Sequence, residues 1–350
     1  MAATDESDGL ATDRFDYDLP PECIAQTPVE PRDRARMLVS LDPDAPPQHR
    51  SVGELDQLLR PGDLLVVNDT KVLAARLNLH KPTGGAVEVL LLEPTGEHLR
   101  WQALVRPGKR VAPGTVLSHQ GRPLVTVGER LSDGRRLVEV DPEAMALAGQ
   151  VPLPPYITET LDEPDRYQTV YARNPGSVAA PTAGLHLTDA LLDRLADRGI
   201  ELARVELRVG LGTFRPITAE VVTDHEMHAE RYAIAPETWE RIQRAERVVA
   251  VGTTVVRTLE SAAATGQLSG ETSLFIRPGF DWKVVDVLMT NFHVPRSSLL
   301  VMIDAFVGER WRDLYRTAVD HQYRFLSFGD AMLLGRQVVA DAAPPVGTPA

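Results

Sequence analysis

The chain shows two hydrophobic patterns, one with a period of two residues and one that mixes strand-like and helix-like runs. The period of two fills residues 71–140, where runs such as AVEVLLLE and RRLVEV are separated by turn signals at Thr83-Gly84-Gly85 and Asp133-Gly134. Alternation broken by frequent turns is typical of antiparallel strands, and no helix-like period occurs in this stretch. It therefore predicts a small antiparallel β-barrel or sandwich.

Strand-like and helix-like runs alternate in the rest of the chain. The strand candidates are GDLLVVND (62–69), ELARVELRVG (201–210), VVAVG (248–252), SLFIRPG (273–279) and KVVDVLMTN (283–291). The helix candidates are residues 189–198 after Thr188, PETWERIQRAER (236–247), TTVVRTLESAAATG (253–266) and SSLLVMIDAFVG (297–308). Such alternation predicts an α/β fold, a mixed sheet with flanking helices. Because its first strand precedes the β-rich stretch, we expect the barrel to be inserted into the α/β domain.

The domain organisation follows from these patterns. We expect a large α/β domain built from residues 14–70 and 151–336, an inserted β-barrel domain at 71–150, and disordered tails at 1–13 and 337–350. The first segment has no signal-peptide pattern, and no apolar run approaches the ~20 residues that a bilayer requires. The single cysteine, Cys23, excludes disulfide stapling. The expected setting is therefore the cytosol.

Charge is distributed unevenly between the two parts. The formal net charge is −12, but residues 71–140 contain eleven Lys or Arg and six Asp or Glu, which leaves +5 there and −17 elsewhere. One interpretation is an ordinary solvated surface. The other is a basic module that meets an anionic partner while the acidic remainder keeps the protein in solution.

Three polar loops recur where an apolar strand ends and a helix begins at Thr or Ser. They are APTAGLHLT (180–188), VGTT (251–254) and TNFHVPRSS (290–298). In α/β sheets ligands bind beyond the carboxyl ends of strands, where helix N-termini offer free N–H groups and glycines permit close approach. The loops therefore predict a ligand site, although any strand-to-helix connection resembles them in part. For His186 and His293 a site role is favoured over a purely structural one.

The remaining glycine and histidine motifs do not match the usual signatures of dinucleotide, ATP or zinc binding. Gly210 and Gly212 lack the third glycine of a dinucleotide fingerprint, and no P-loop motif occurs. In DHEMH, His225 and His228 are three residues apart with Glu226 between them, which is not the zinc spacing H-E-x-x-H. Acid–base catalysis or a hydrogen bond to substrate is the favoured interpretation, and a packed structural histidine is the alternative.

Long stretches, in order from about residue 15 to residue 333, match one known family. They are FDYDLPPECIAQTP, PGDLLVVNDTKVLAARL, VPLPPYI, RYQTVYARNPGSVAAPTAGLHLT, VGLGTFRPI, DHEMHAERY, VAVGTTVVRTLES, FIRPGFDWKVVDVLMTNFHVPRSSLL and YRFLSFGDAML. With these the chain resembles the S-adenosylmethionine:tRNA ribosyltransferase-isomerases of queuosine biosynthesis. Two positions depart from the family pattern: Lys71 replaces the usual Arg, and Arg208 a common His.

The resemblance implies a reaction and a fold. S-Adenosylmethionine would serve as a ribosyl donor to 7-aminomethyl-7-deazaguanine at the wobble position of tRNA. The products would be epoxyqueuosine in tRNA, adenine and methionine. The family's fold is a large α/β domain with an inserted β-barrel. Its members are generally monomeric, use no metal, and carry no prosthetic group, so S-adenosylmethionine is a co-substrate.

This chemistry assigns hypothetical roles to the loop residues. His186 and His293 are the leading acid–base candidates, followed by His225 and His228. Ribose and methionine binding is assigned to Thr182, Gly184, Thr253, Thr254 and Asn291, with Phe214 and Phe292 packing on a base. Arg106, Lys109 and Arg110, beside a Pro-Gly turn, are the candidate phosphate contacts. Two alternatives remain from the residues alone: a metallohydrolase built on DHEMH, and a non-catalytic RNA-binding module.

Overall fold

A computed structural model describes residues 10–210 and 216–337. The strands are β1 (Arg36–Ser40), β2 (Gln48–Ser51), β3 (Asp63–Asn68), β4 (Thr70–Val72), β5 (Arg76–His80), β6 (Ala86–Pro94), β7 (Arg100–Arg106), β8 (Val116–His119), β9 (Arg122–Arg130), β10 (Arg136–Val140), β11 (Gly149–Gln150), β12 (Asn174–Ser177), β13 (Glu201–Leu207), β14 (Glu230–Ala233), β15 (Arg247–Val251), β16 (Ser269–Thr272), β17 (Val287–Asn291) and β18 (Ala331–Gly335). The helices are α1 (Leu55–Leu58), α2 (Ala144–Ala148), α3 (Asp189–Asp197), α4 (Pro236–Arg244), α5 (Thr253–Thr265), α6 (Ser298–Val307) and α7 (Trp311–Asp320).

A nine-stranded mixed sheet forms the centre of the larger part, in the order β16-β14-β13-β3-β15-β17-β18-β1-β2. Strands β13, β3, β15 and β17 are mutually parallel, and β18 reverses direction beside β17. Leu259 of α5 and Val301 of α6 are buried on one face of the sheet. Leu55 of α1 and Leu191 of α3 are buried on the other. The predicted α/β sheet with flanking helices is confirmed.

The β-rich stretch forms a closed antiparallel barrel. Its strands follow the order β5-β6-β7-β10-β9-β8, and the pairing of His80 with Ser118 brings β8 back to β5. Inward side chains such as Leu77, Val89 and Val127 fill the interior and are 0% exposed. The barrel is therefore confirmed, and the sandwich alternative is wrong. Strand β4, which directly precedes the barrel in the chain, forms a short parallel pair with β12. The domain boundaries at residues 70 and 151 stay predictions.

Most predicted helices begin and end where their caps indicate. Thr188 Oγ1 accepts from the Leu191 N–H at 3.2 Å and caps α3, and Gly199 follows the helix with a φ of 76°. Helix α5 begins at Thr253 and reaches Gly266, which is left-handed. Helix α7 was not predicted.

Two predicted strands are wrong: one does not form, and the other begins later in the chain. Residues 273–279 form no strand, because the Leu274 N–H bonds to Thr272 Oγ1 and the chain leaves the sheet edge after β16. Strand β17 begins only at Val287, because the Glu260 carboxylate accepts the N–H groups of Lys283, Val284 and Val285 that a strand partner would take.

The ends of the described chain are packed. Thr12 is 0% exposed and its hydroxyl donates to the Ala219 carbonyl at 2.8 Å, so order begins before the predicted start at residue 14. The Gln337 N–H bonds to the Phe306 carbonyl at 2.9 Å. The rest of both predicted tails lies outside the described residues. No helix within 10–210 and 216–337 is long and apolar enough to span a bilayer.

Candidate active site

The three polar loops meet at the carboxyl edge of the large sheet and form a cleft of about 630 Å³. The loop at 251–254 follows β15 and the loop at 290–298 follows β17, and these two strands are neighbours in the sheet. The loop at 180–188 faces them. The lining includes six predicted site residues, namely Thr182, Thr253, Thr254, Asn291, Phe292 and His293. Tyr156 and Ser327 also line the cleft, with their hydroxyl oxygens 2.7 Å apart, and sequence reasoning missed both.

His293 is the imidazole that lines this cleft. Its Nε2 lies 3.1 Å from Thr290 Oγ1, and its backbone N–H donates to Tyr315 Oη at 3.1 Å. Burial lowers the pKa of His293 to about 3. The ring is therefore neutral near pH 7 and has a lone pair for a proton or a hydrogen bond.

His186 lies behind the cleft, in the 3-10 turn Thr182–His186. Its Nε2 is 3.0 Å from Asn291 Nδ2, and Asn291 also donates to the Leu326 carbonyl at 3.0 Å. His186 faces a separate pocket of about 270 Å³ that Arg32 and Arg166 also line. Burial, and then these two guanidinium groups with that of Arg324, lower the pKa of His186 to about 4. The structure thus places this imidazole against Asn291 rather than on the cleft surface.

The two glycines of the first two loops have different surroundings. A Cβ on Gly184 would lie 1.9 Å from Tyr171 Oη, so close packing against this ring requires glycine there. Gly184 does not line the cleft, and its predicted ligand role remains a prediction. Gly252 lines the cleft with a φ of 94°, where a side chain would be strained.

A second chamber of about 550 Å³ adjoins the cleft. The two spaces share Thr253, Thr254 and Leu299. His225 and His228 line the second chamber only, and the His225 ring meets the Phe275 ring edge-on at 5.8 Å. Burial, with a smaller contribution from His228, lowers the pKa of His225. No group of three His, Cys, Asp or Glu residues able to hold a metal ion occurs among the described residues.

A buried ion pair borders the second chamber, and sequence reasoning missed it. The Arg257 guanidinium on α5 donates to the Glu230 carboxylate at the start of β14, and both side chains are 5% exposed. Arg257 also donates to the carbonyls of Thr272 and Leu274, at 3.1 and 3.3 Å. The sequence did contain a signal, since Arg257 interrupts the apolar face of VVRTLES, and Arg is rarely buried unless it is paired.

The remaining predicted residues are divided between the core, the barrel and the part outside the structure. Phe292 is 0% exposed and packs at 4.7 Å from the Phe325 ring, although it contributes to the cleft wall. Arg106, Lys109 and Arg110 are exposed where β7 ends, on the barrel rather than in the cleft. Phe214 lies outside the described residues.

Comparison with known proteins decides the family. The model of the family described as queuosine biosynthesis protein matches residues 12–334. The chain belongs to this family. A relative from Rubrobacter xylanophilus is named S-adenosylmethionine:tRNA ribosyltransferase-isomerase and is 51% identical over 328 residues, 93% of this chain and 98% of the relative. A relative of the same name from Synechococcus elongatus is 50% identical over 343 residues, 92% and 95% of the two chains.

A solved structure supports the same family. The crystal structure of S-adenosylmethionine tRNA ribosyltransferase from Thermotoga maritima has 38% sequence identity and a TM-score of 0.53, and the match covers 92% of this chain and 99% of that one. The protein is therefore an enzyme of the S-adenosylmethionine:tRNA ribosyltransferase-isomerase family, a transferase and isomerase of queuosine biosynthesis. Both alternatives, a metallohydrolase and a non-catalytic RNA-binding module, are set aside.

Proposed function

We propose that the enzyme transfers and isomerises the ribosyl group of S-adenosylmethionine onto 7-aminomethyl-7-deazaguanine at the wobble position of tRNA. The products are epoxyqueuosine-tRNA, adenine and methionine. The protein acts as a monomer without a metal or prosthetic group. The names of the relatives support the donor and the tRNA.

The observation that carries the proposal is the convergence of hydroxyl, amide and imidazole groups in one cleft. Thr253 and Thr254 present hydroxyls at the first turn of α5, and Asn291 and Thr182 extend the polar lining. Hydroxyl and amide groups suit a ribose and an amino-acid tail, which offer several donors and acceptors.

The reaction requires proton acceptors, and His293 fits this need. The sulfonium acidifies the adjacent 5′-carbon, so a neutral base can begin the reaction by removing that proton. Burial keeps the His293 ring neutral, so the imidazole is in the unprotonated form that a base requires. His293 is therefore assigned as a proton acceptor that touches the donor. His186 is assigned as a positioning residue, because it reaches the cleft through Asn291.

tRNA binding is assigned to charge on the barrel and to an extruded wobble base. Arg106, Lys109 and Arg110 are exposed, and we assign the phosphate contacts to them. Proteins commonly splay single-stranded loop bases out of the stack to read them. The cleft then holds the modified base while the barrel holds the backbone.

One incubation tests the proposed reaction. The protein is mixed with S-adenosylmethionine and tRNA that carries 7-aminomethyl-7-deazaguanine. Adenine and methionine should be released in equal amounts, together with a matching increase in tRNA mass. tRNA with unmodified guanine at the wobble position is the control and should yield neither product. Methyl transfer to tRNA, with adenosyl-homocysteine as the by-product, would contradict the proposal.

A further inference from the structure

The cleft and the second chamber meet within this site, and the ribose of S-adenosylmethionine carries two substituents that must be bound. The cleft and the second chamber share the residues Thr253, Thr254 and Leu299. In S-adenosylmethionine the ribose carries adenine at one carbon and the sulfonium at another. A ribose held by the two threonines therefore directs its substituents into different spaces. This inference rests on the proposed function.

The second chamber has the lining that a purine requires. Leu274, Phe275, Ile276 and Met302 supply apolar walls for the flat faces of the ring. His225 and His228 supply imidazole groups for its polar edge. The ion pair in the wall already directs its guanidinium at protein acceptors, so recognition falls to the apolar walls and the imidazoles.

Charge around the two openings distinguishes which space receives RNA. At the rim of the second chamber, Asp224 and Glu226 are exposed on either side of His225 in the sequence, and Arg277 is exposed after Ile276. The two carboxylates outnumber the one cation, so this rim is the less favourable one for phosphates. Val209 lines the cleft, and the preceding residue, Arg208, is exposed, with its Nε 2.7 Å from the Glu206 carboxylate. RNA is therefore expected on the cleft side.

Two further cations lie beside Arg208. A Cβ on Gly176 would be 3.2 Å from Arg208 Nε, which places the guanidinium over β12. Lys71 pairs with Pro175 in the β4–β12 ladder, and Arg173 directly precedes β12. Lys71 and Arg173 are both exposed. With Arg208 paired to Glu206, Lys71 and Arg173 leave the cleft side more positive than the rim of the second chamber.

We propose that the second chamber binds the adenine of the donor, and that the modified base and the methionine arm occupy the cleft. Adenine departs into its own chamber with the electron pair of the glycosidic bond and takes up one proton. The aminomethyl nitrogen forms its new bond from the cleft side and loses a proton there. Separate spaces allow both bases to be present while the bond is exchanged.

Adenine binding to the full-length protein tests this assignment directly. Equilibrium dialysis with labelled adenine is run on the wild type, on Phe275→Ala in the chamber, and on Val294→Ala in the cleft. Loss of the Phe275 ring should weaken adenine binding about tenfold, the size expected for lost stacking on a base. Val294→Ala, the matched apolar truncation, should leave adenine binding unchanged. Phe275→Leu replaces Phe275→Ala if the latter fails to fold.

The outcomes separate this inference from the proposed function. Weaker adenine binding in Val294→Ala, with wild-type binding in Phe275→Ala, would place adenine in the cleft and overturn the assignment. No measurable adenine binding to the wild type would overturn it also. Product inhibition gives a second measure, because Phe275→Ala should relieve inhibition by adenine and leave inhibition by methionine unchanged. Failure of wild-type turnover with modified tRNA concerns the proposed function alone, because dialysis requires no turnover.

Discussion

At the scale of single residues, the site is defined by imidazoles that the fold keeps uncharged. His186 and His293 are 5% and 8% exposed, and burial is the main reason for the low pKa of each. A charged imidazole loses its hydration when it is buried, so the protein favours the neutral ring. This preference for the neutral ring makes folding sensitive to acid.

Stability should therefore fall as the pH falls below about 6.5. In that range the unfolded chain binds protons that the folded imidazoles do not, until the pH approaches about 4 for His186 and about 3 for His293. Between pH 7 and pH 5 each imidazole should lower the free energy of unfolding by about 2 kcal/mol. Denaturant unfolding at both pH values measures this loss.

Glutamine variants identify the residues responsible. His293→Gln and His186→Gln should each remove its own share of the loss between pH 7 and pH 5. His98→Gln is the matched control, because His98 is exposed on the barrel, and it should leave the loss unchanged. If all three variants lost the same free energy of unfolding between pH 7 and pH 5, groups other than His186 and His293 would be responsible for the acid sensitivity.

At the scale of secondary-structure elements, one ion pair joins parts of the chain that are distant in sequence. Arg257 on α5 contacts Glu230 on β14 and the Thr272 carbonyl at the end of β16. Glu230 also accepts from the Gly210 N–H at 2.9 Å, which fixes the chain just after β13. The pair therefore holds one wall of the second chamber in place.

Replacing Arg257 by Met should destabilise the protein by about 3–5 kcal/mol, because the Glu230 charge stays buried after its cation is removed. Chemical unfolding measures the change. Arg231→Met is the control, because Arg231 is 62% exposed beside Glu271 and should change the stability by less than about 1 kcal/mol. A similar small change for Arg257→Met would mean that the buried pair adds little to holding these strands together.

At the scale of the whole molecule, a basic barrel is joined to an acidic body. The tip with Arg106, Lys109 and Arg110 also includes Lys81, whose Nζ donates to the Arg110 carbonyl at 3.3 Å. Phosphate contacts release counterions, so affinity that depends on them falls with salt. The barrel tip is where this dependence should originate.

Neutralising the tip should weaken tRNA binding and flatten its salt dependence. In the triple variant Arg106→Gln, Lys109→Gln and Arg110→Gln, the slope of log affinity against log salt should decrease by about two. Filter binding across a salt series measures the slope. Neutralising the exposed Arg231, Arg244 and Arg316 gives a control of equal charge. An unchanged slope in the tip variant would remove the barrel tip from the RNA interface.

Local patterns were sufficient for much of the fold. The period of two in residues 71–140 leads to the barrel, Thr188 to the start of α3, and Gly266 to the end of α5. The missed bounds have tertiary causes. The Glu260 carboxylate, from a distant helix, captures the N–H groups of residues 283–285, and no local pattern contains that contact.

The candidate site divides in the same way. The sequence by itself determined the loop chemistry and the family, because His, Thr, Asn and Gly at strand ends are local features and long motifs are specific. Only the tertiary structure decided that His293 faces the cleft, that His186 stands behind Asn291, and that two chambers meet at Thr253 and Thr254. Burial, pKa shifts and shared walls arise from groups far apart in sequence, and folding alone brings those groups together.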